Sequence, residues 1–259
     1  MPATSFNLID DHLEKVRRAF DASPALRWSA RGYRRLLAHY YNLHLSSETR
    51  VLEIGCGTGT LLRHLKTRHI TGVDLSPIQI DEARRQLPHG HFHVLAAEHL
   101  VLRGTFDVVI LSDTINHAAD VQLLLQRLHA VCTPTTRLIL NYHSNVWRPV
   151  LFLARILGLQ RPEPPSNWLA TADVQNLLAL ADWEPVSAEH RLLCPVPIPG
   201  LAPLLNRLFA PFLPFLCLTV FLVARPRRTA APTPLTVSVV IPARNESGNM
   251  RAALLRAPE

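Results

Sequence analysis

A chain of 259 residues, 48% of them hydrophobic, is long enough to bury one substantial core or two small ones. Its formal charge of +7 comes almost wholly from scattered arginines, since Lys15 and Lys66 are the only lysines; no basic run marks a nucleic-acid partner, and an anionic ligand or membrane surface fits as well. Cys56, Cys132, Cys194 and Cys217 form no CxxC pair and no metal spacing with histidine, so no metal and a reduced compartment are expected, and the polar start MPATSFNLIDDHLEK is not a secretion signal.

Residues 8–42 read as helical, with Leu8, Ile9, Leu13, Val16 and Phe20, then Tyr33, Leu36, Leu37, Tyr40 and Tyr41 near helical spacing. From Arg50 the pattern changes to short apolar or β-branched runs, VLEI, HITGVD, HFHVLA, FDVVIL and RLILNY, which are strand candidates. LLRHLK, PIQIDEARRQL and VQLLLQRLHAVC lie between them as helices, the second opened by Ser76 as N-cap and Pro77 in the first turn. Such alternation predicts parallel strands with crossover helices and a ligand site at the carboxyl ends of the strands. Beyond Tyr142 follow an apolar helix near 145–157, the connector RPEPPSNW, a helix opened by Thr171, a strand near 185–193 and a last strand in LCLTVFLVA.

The first strand runs into VLEIGCGTGT, with Gly55, Gly57 and Gly59 two apart. A glycine loop after a buried strand lets a ligand approach the backbone, and a helix over 60–66 would aim its positive end there. A Walker loop is excluded because Thr58-Gly59-Thr60 offers no lysine, and a dinucleotide fingerprint needs its third glycine where Thr60 stands. Asp74, at the end of the second strand, is placed to accept from two ribose hydroxyls. A loop without phosphate features followed by a ribose acid points to a nucleoside ligand lacking phosphate.

The runs VLEIGCGTG, VDLSP, FDVVILSD and WLATADVQNLLALADWEPV, over roughly 31–224, resemble the small-molecule class I S-adenosylmethionine-dependent methyltransferases. The resemblance implies an α/β, Rossmann-like, doubly wound seven-stranded sheet with the last strand antiparallel, N-terminal helices over 1–48 and apolar helical insertions near 145–158 and 200–214. It also implies S-adenosylmethionine as cofactor. Glu53, Gly55, Cys56, Gly57 and Gly59 would surround its methionine part, Asp74 would hold the ribose, and Leu75 would cover one face of adenine. Ser112 and Asp113 fall where the family contacts the methionine end, although Asp113 could equally cap a short following helix. Where the family usually carries an adenine-binding acid, the segment AAEHL has Ala96, so Ala97 main chain or Glu98 would supply that contact.

The fourth strand ends in LSDTIN, with neither an NPPY-like run nor a PC nucleophile, which tilts the acceptor toward oxygen or carbon on a small-molecule or lipid-linked, sugar-related compound. His117 and His143 are the candidate bases, and Tyr142 and Asn145 are candidates to line the acceptor pocket; packing for Tyr142, capping for Asn145 and structural hydrogen bonding for His117 are the competing readings. An S-adenosylmethionine-binding interaction module without turnover is the alternative function. The uncharged run over 208–224 is 17 residues long and interrupted by Pro211 and Pro214. It reads as a packed helix and core strand rather than a span of ~20 residues, which leaves peripheral membrane contact open and places the chain in the cytoplasm, at most at the inner membrane face. The methyltransferase domain is expected over 1–225, a linker over 226–235, and over 236–259 a stub, TVSVVIPARNESGNM, that resembles the opening strand of family 2 glycosyltransferases.

Overall fold

The computed structural model describes residues 3–22, 28–156, 158, 166–195, 198 and 200–227. Two N-terminal helices, α1 (Ala3–Asp21) and α2 (Trp28–Tyr41), precede strands β1 (Arg50–Ile54) and β2 (His69–Asp74), helix α3 (Pro77–Gln86), and strands β3 (His91–Val94) and β4 (Phe106–Ser112). Helix α4 (Val121–Leu128), strand β5 (Cys132–His143), helices α5 (Arg148–Ile156) and α6 (Thr171–Leu180), and strand β6 (Trp183–Arg191) follow. After the short helix α7 (Leu201–Leu204) and further helical turns to Leu216, strand β7 (Thr219–Pro226) closes the sheet.

The strands form one sheet in the order β3-β2-β1-β4-β5-β7-β6, with β1 to β5 parallel and β7 antiparallel to both β5 and β6. The parallel strands are those expected from the alternating runs, and seven strands with the last antiparallel are what the resemblance implies. Because successive side chains on a strand face opposite ways, the sheet has two cores. Leu52, Ile54, Val109, Leu111, Leu140 and Tyr142 pack with α4 and α6. Val51, Ile110, Ile139 and Phe221 pack on the other face with Leu37 and Tyr41 of α2 and Ile80 and Ala83 of α3. Trp183, fully buried, donates its indole N–H to Leu125 O at 3.0 Å and stacks on His129.

Ser76 caps α3 as predicted, accepting from Gln79 N, with Pro77 in the first turn. The helix expected over 60–66 does not form: only Leu62–His64 make a 3₁₀ turn. The neighbouring loop takes the backbone groups a helix would need. Asn42 accepts from Lys66 N at 2.8 Å and donates to His64 O at 2.9 Å, and Ser47 O accepts from Arg68 N. A single 3₁₀ turn lacks the macrodipole invoked for the ligand. At the other end the sheet passes the expected boundary at 225, since Pro226 pairs with Trp183 and Arg227 N donates to Asp182 O at 2.8 Å. The expected linker beyond Arg227 and the glycosyltransferase-like stub lie outside the described residues.

Candidate active site

The strand order reverses between β1 and β4, which opens a crevice at their carboxyl ends. On one side of it lies the glycine loop. Gly55 and Gly57 have φ of 72° and 53°, a region that side chains with a Cβ rarely adopt, and a Cβ on Gly55 would come within 2.7 Å of the Thr114 hydroxyl. Gly59 belongs to the same loop, where its amide bonds to Cys56 O. Cys56 turns its side chain inward: the thiol is buried beside Gly72 and Phe92, donates to Gly57 O of the loop at 3.6 Å, and burial pushes its pKa well up.

Asp74 ends β2 and organises this loop. One carboxylate oxygen accepts from Gly57 N at 2.7 Å and the other from Ser76 N at 2.9 Å. Burial raises its pKa against the pull of the Ser76, Gly57 and Leu75 amides. Each oxygen keeps acceptor capacity for a further donor. Leu75 beside it is partly exposed.

Glu53 is the unusual group. It is 1% exposed near the end of β1, and its Oε2 makes no hydrogen bond. Burial pushes its pKa up to about 8, with Arg34 opposing. A buried carboxyl without a partner is costly, so this position suits a cationic ligand group.

Across the crevice, α2 delivers a network that no sequence motif announced. Its buried stripe carries Leu37, Ala38 and Tyr41, and the same face brings Tyr33 and Arg34 to the end of β4. Arg34 Nη1 donates to Ser112 Oγ at 2.5 Å and lies 3.3 Å from Asp113 Oδ2. Asn141 of β5 donates to Asp113 Oδ1 at 2.6 Å and accepts from the Tyr41 hydroxyl at 2.5 Å. Tyr33 donates toward Asp113 Oδ1 at 3.4 Å; burial and that carboxylate hold its phenol protonated. Asp113 therefore neither caps a helix nor stands free: at φ of 57° it is the hub of the network.

His143, at the end of β5, joins this hub, with Nε2 3.7 Å from Asp113 Oδ1. His117 lies on the other rim, its ring edge-to-face with Phe20 of α1 and its carbonyl 3.2 Å from His12 Nε2. Asp21, at the end of α1, accepts from the Ser76 hydroxyl and pairs with Arg17. Helix α1 thus crosses the loops after β2 and β4.

Two expectations about site residues need correction, and a third residue is not the cap it could have been. Tyr142 does not line a pocket: it is 1% exposed, packs in the α4/α6 core and donates to Thr171 Oγ1, because residue 142 points to the sheet face opposite the network and residue 141 toward it. Glu98 is turned into the protein, where it accepts from Ala119 N at 2.8 Å and ties the turn after β3 to the loop before α4; Ala97, partly buried, packs against the core from that turn. Asn145 is exposed on the 3₁₀ turn after β5, outside the network and not the cap, a position held by Ser144.

A family model described as Methyltransferase domain matches residues 25–202. The chain is 28% identical over 117 residues to the ubiquinone biosynthesis O-methyltransferase of Bradyrhizobium diazoefficiens, covering 43% of this chain and 46% of that one. It is 34% identical over 89 residues to the malonyl-(acyl-carrier protein) O-methyltransferase of Bacillus cereus, with 32% and 33% covered. The matches thus span less than half the length of these curated relatives. Among solved structures it is similar in fold to a SAM-dependent methyltransferase of Thermotoga maritima, described as a possible histamine N-methyltransferase, with a TM-score of 0.60 and 19% identity over 83% of this chain and 99% of that one.

Proposed function

The chain belongs to the methyltransferase-domain family, and from that premise we propose that its crevice holds S-adenosylmethionine and directs the methyl group to oxygen or carbon of a small-molecule or lipid-linked acceptor. The observation that carries this reading is the pairing of opposite needs across the crevice. Glu53 has an unpaired, buried carboxyl, and Arg34 brings a guanidinium whose field reaches it. An amino acid zwitterion answers both, its ammonium at Glu53 and its carboxylate toward Arg34 and Ser112. Asp74 receives the ribose hydroxyls, and Leu75 and Ala97 bound the adenine.

The cofactor supplies an electrophilic methyl on a sulfonium. The protein's part is to hold acceptor and donor in line and to take a proton where the acceptor carries one. His143 is the base we favour, because Asp113 lies beside its ring and can orient it. His117, packed under Phe20, is the second candidate.

Two variants test these roles. Asp74→Asn keeps an acceptor oxygen but removes the charge, so cofactor affinity measured by calorimetry should fall about tenfold; an unchanged dissociation constant would remove Asp74 from the ribose. His143→Gln should lower turnover roughly a hundredfold with labelled cofactor and a cell extract as acceptor source, while affinity for the cofactor stays at the parent value. Full turnover in that variant would move the base elsewhere, and tight cofactor binding with no transfer by the parent chain would favour a binding module.

A further inference from the structure

We propose that the two apolar insertions, after β5 and before β7, form one face that docks on an anionic lipid surface. The docking stands independently of the methyl-transfer reading.

Helix α5 has no buried residue. Phe152, Leu153 and Ile156 are 61%, 56% and 65% exposed, on a helix with no polar or charged side chain except its two arginines. The second insertion has an inward side of small and polar residues at steps of four, Ala202, Asn206 and Ala210. Asn206 fastens it to the body by accepting from Cys194 N and donating to Cys194 O. That register turns Leu208, Phe209, Phe212 and Phe215 outward, and Phe212 is 80% exposed. The insertions meet where Trp147 Nε1 donates to Leu216 O at 2.8 Å. A contiguous exposed patch of this kind marks an interaction surface.

Charge selects the occupant. Residues 144–158 and 192–218 contain no Asp or Glu, whereas Arg148 stands at the start of α5 and Arg207 is exposed in the second insertion. Aromatic and aliphatic side chains bordered by guanidinium groups, without a carboxylate among the described residues of either insertion, match the interfacial zone of a membrane carrying anionic headgroups. A second copy of the chain would set the same surface against itself, with no acid among the described residues of the two insertions to pair those arginines. Among the described residues no helix is long and apolar enough to cross a membrane. With α5 only nine residues long, the face lies on the lipid rather than through it.

The position of the face gives the docking a use. His143 pairs with Thr219, and Ser144 N donates to Leu218 O, so both insertions are rooted at the sheet end that carries His143 and Asp113. Lipid contact there would bring a membrane-dissolved acceptor to the rim of the crevice, a consequence that does rest on the proposed function.

The test is cosedimentation of the full chain with vesicles of phosphatidylcholine alone and with about 30% phosphatidylglycerol at about 0.1 M salt. Binding should be at least about tenfold stronger to the anionic vesicles. The variant Phe212→Ser/Phe215→Ser should bind them about tenfold more weakly with its melting temperature and cofactor affinity unchanged. Should that variant misfold, Arg148→Gln/Arg207→Gln serves in its place and should abolish the preference for phosphatidylglycerol. No preference for anionic vesicles, variants that bind as well as the parent, or a dimer in sedimentation equilibrium that the phenylalanine substitutions dissolve would each overturn the proposal.

Discussion

Replacing Arg34 with methionine should destabilise the protein by about 3 kcal/mol, the scale for removing one partner of a buried ion pair. The chain of contacts explains the size. Arg34 lies 3.3 Å from Asp113 Oδ2 and hydrogen-bonds Ser112 Oγ, and methionine fills much of the same volume without satisfying either. Asp113 would retain Asn141 and Tyr33 as donors but would hold its charge in a buried site without a cation. The remedy follows from the same geometry. Asn tolerates the φ of 57° at position 113, so Arg34→Met/Asp113→Asn should recover at least about 1 kcal/mol relative to the sum of the single changes. Urea unfolding of the four proteins gives the coupling. Additive effects, or an Arg34→Met variant as stable as the parent, would show that the pair is a surface contact only.

What the sequence revealed and what it hid divide along a physical line. Strands β1, β2, β4 and β5 were legible because central parallel strands are buried on both faces and read as apolar runs; Ser76-Pro77 was legible because capping is local in sequence. The glycine loop was legible from spacing, its glycines sitting where φ is positive. The network was not. Arg34 meets Ser112 across 78 residues of sequence and Tyr41 meets Asn141 across 100, and periodicity marks α2 as amphipathic without saying which strand its arginine reaches. Tyr142 shows how a correct strand yields a wrong site: a strand shows alternate residues to opposite faces, and choosing 142 over 141 put the candidate in the wrong core. The absent helix at 60–66 failed for a related reason, since apolar pattern cannot foresee that Asn42 takes the amide of Lys66 and the carbonyl of His64.

Cofactor affinity should rise with pH, about tenfold per unit, from pH 5 to near 8, in total about a thousandfold. The cause is Glu53, whose pKa burial pushes up to about 8 in the free protein, so that it is protonated across this range. An ammonium beside it favours the ionised form and brings the pKa back to the ordinary carboxylate range or below. Binding below pH 8 then expels one proton, and the affinity climbs as that proton becomes easier to lose; above about 8 the curve flattens. Folding carries the opposite slope. An acid whose folded pKa lies above its unfolded value of about 4.3 contributes stability at low pH that is lost as pH rises toward the folded pKa, so Glu53 should make the free protein less stable at pH 8 than at pH 5, other groups being equal. The two slopes are separable in Glu53→Gln, which is neutral in every state. In that variant the affinity should be nearly flat from pH 5 to 8 and weaker than the parent's at pH 8, and the free protein should gain stability at pH 8 relative to the parent. Calorimetry in two buffers of different ionisation enthalpy counts the proton directly. A parent chain that releases no proton at pH 7, or a Glu53→Gln variant that keeps the parent's pH profile, would place the ligand's ammonium somewhere other than at this carboxyl.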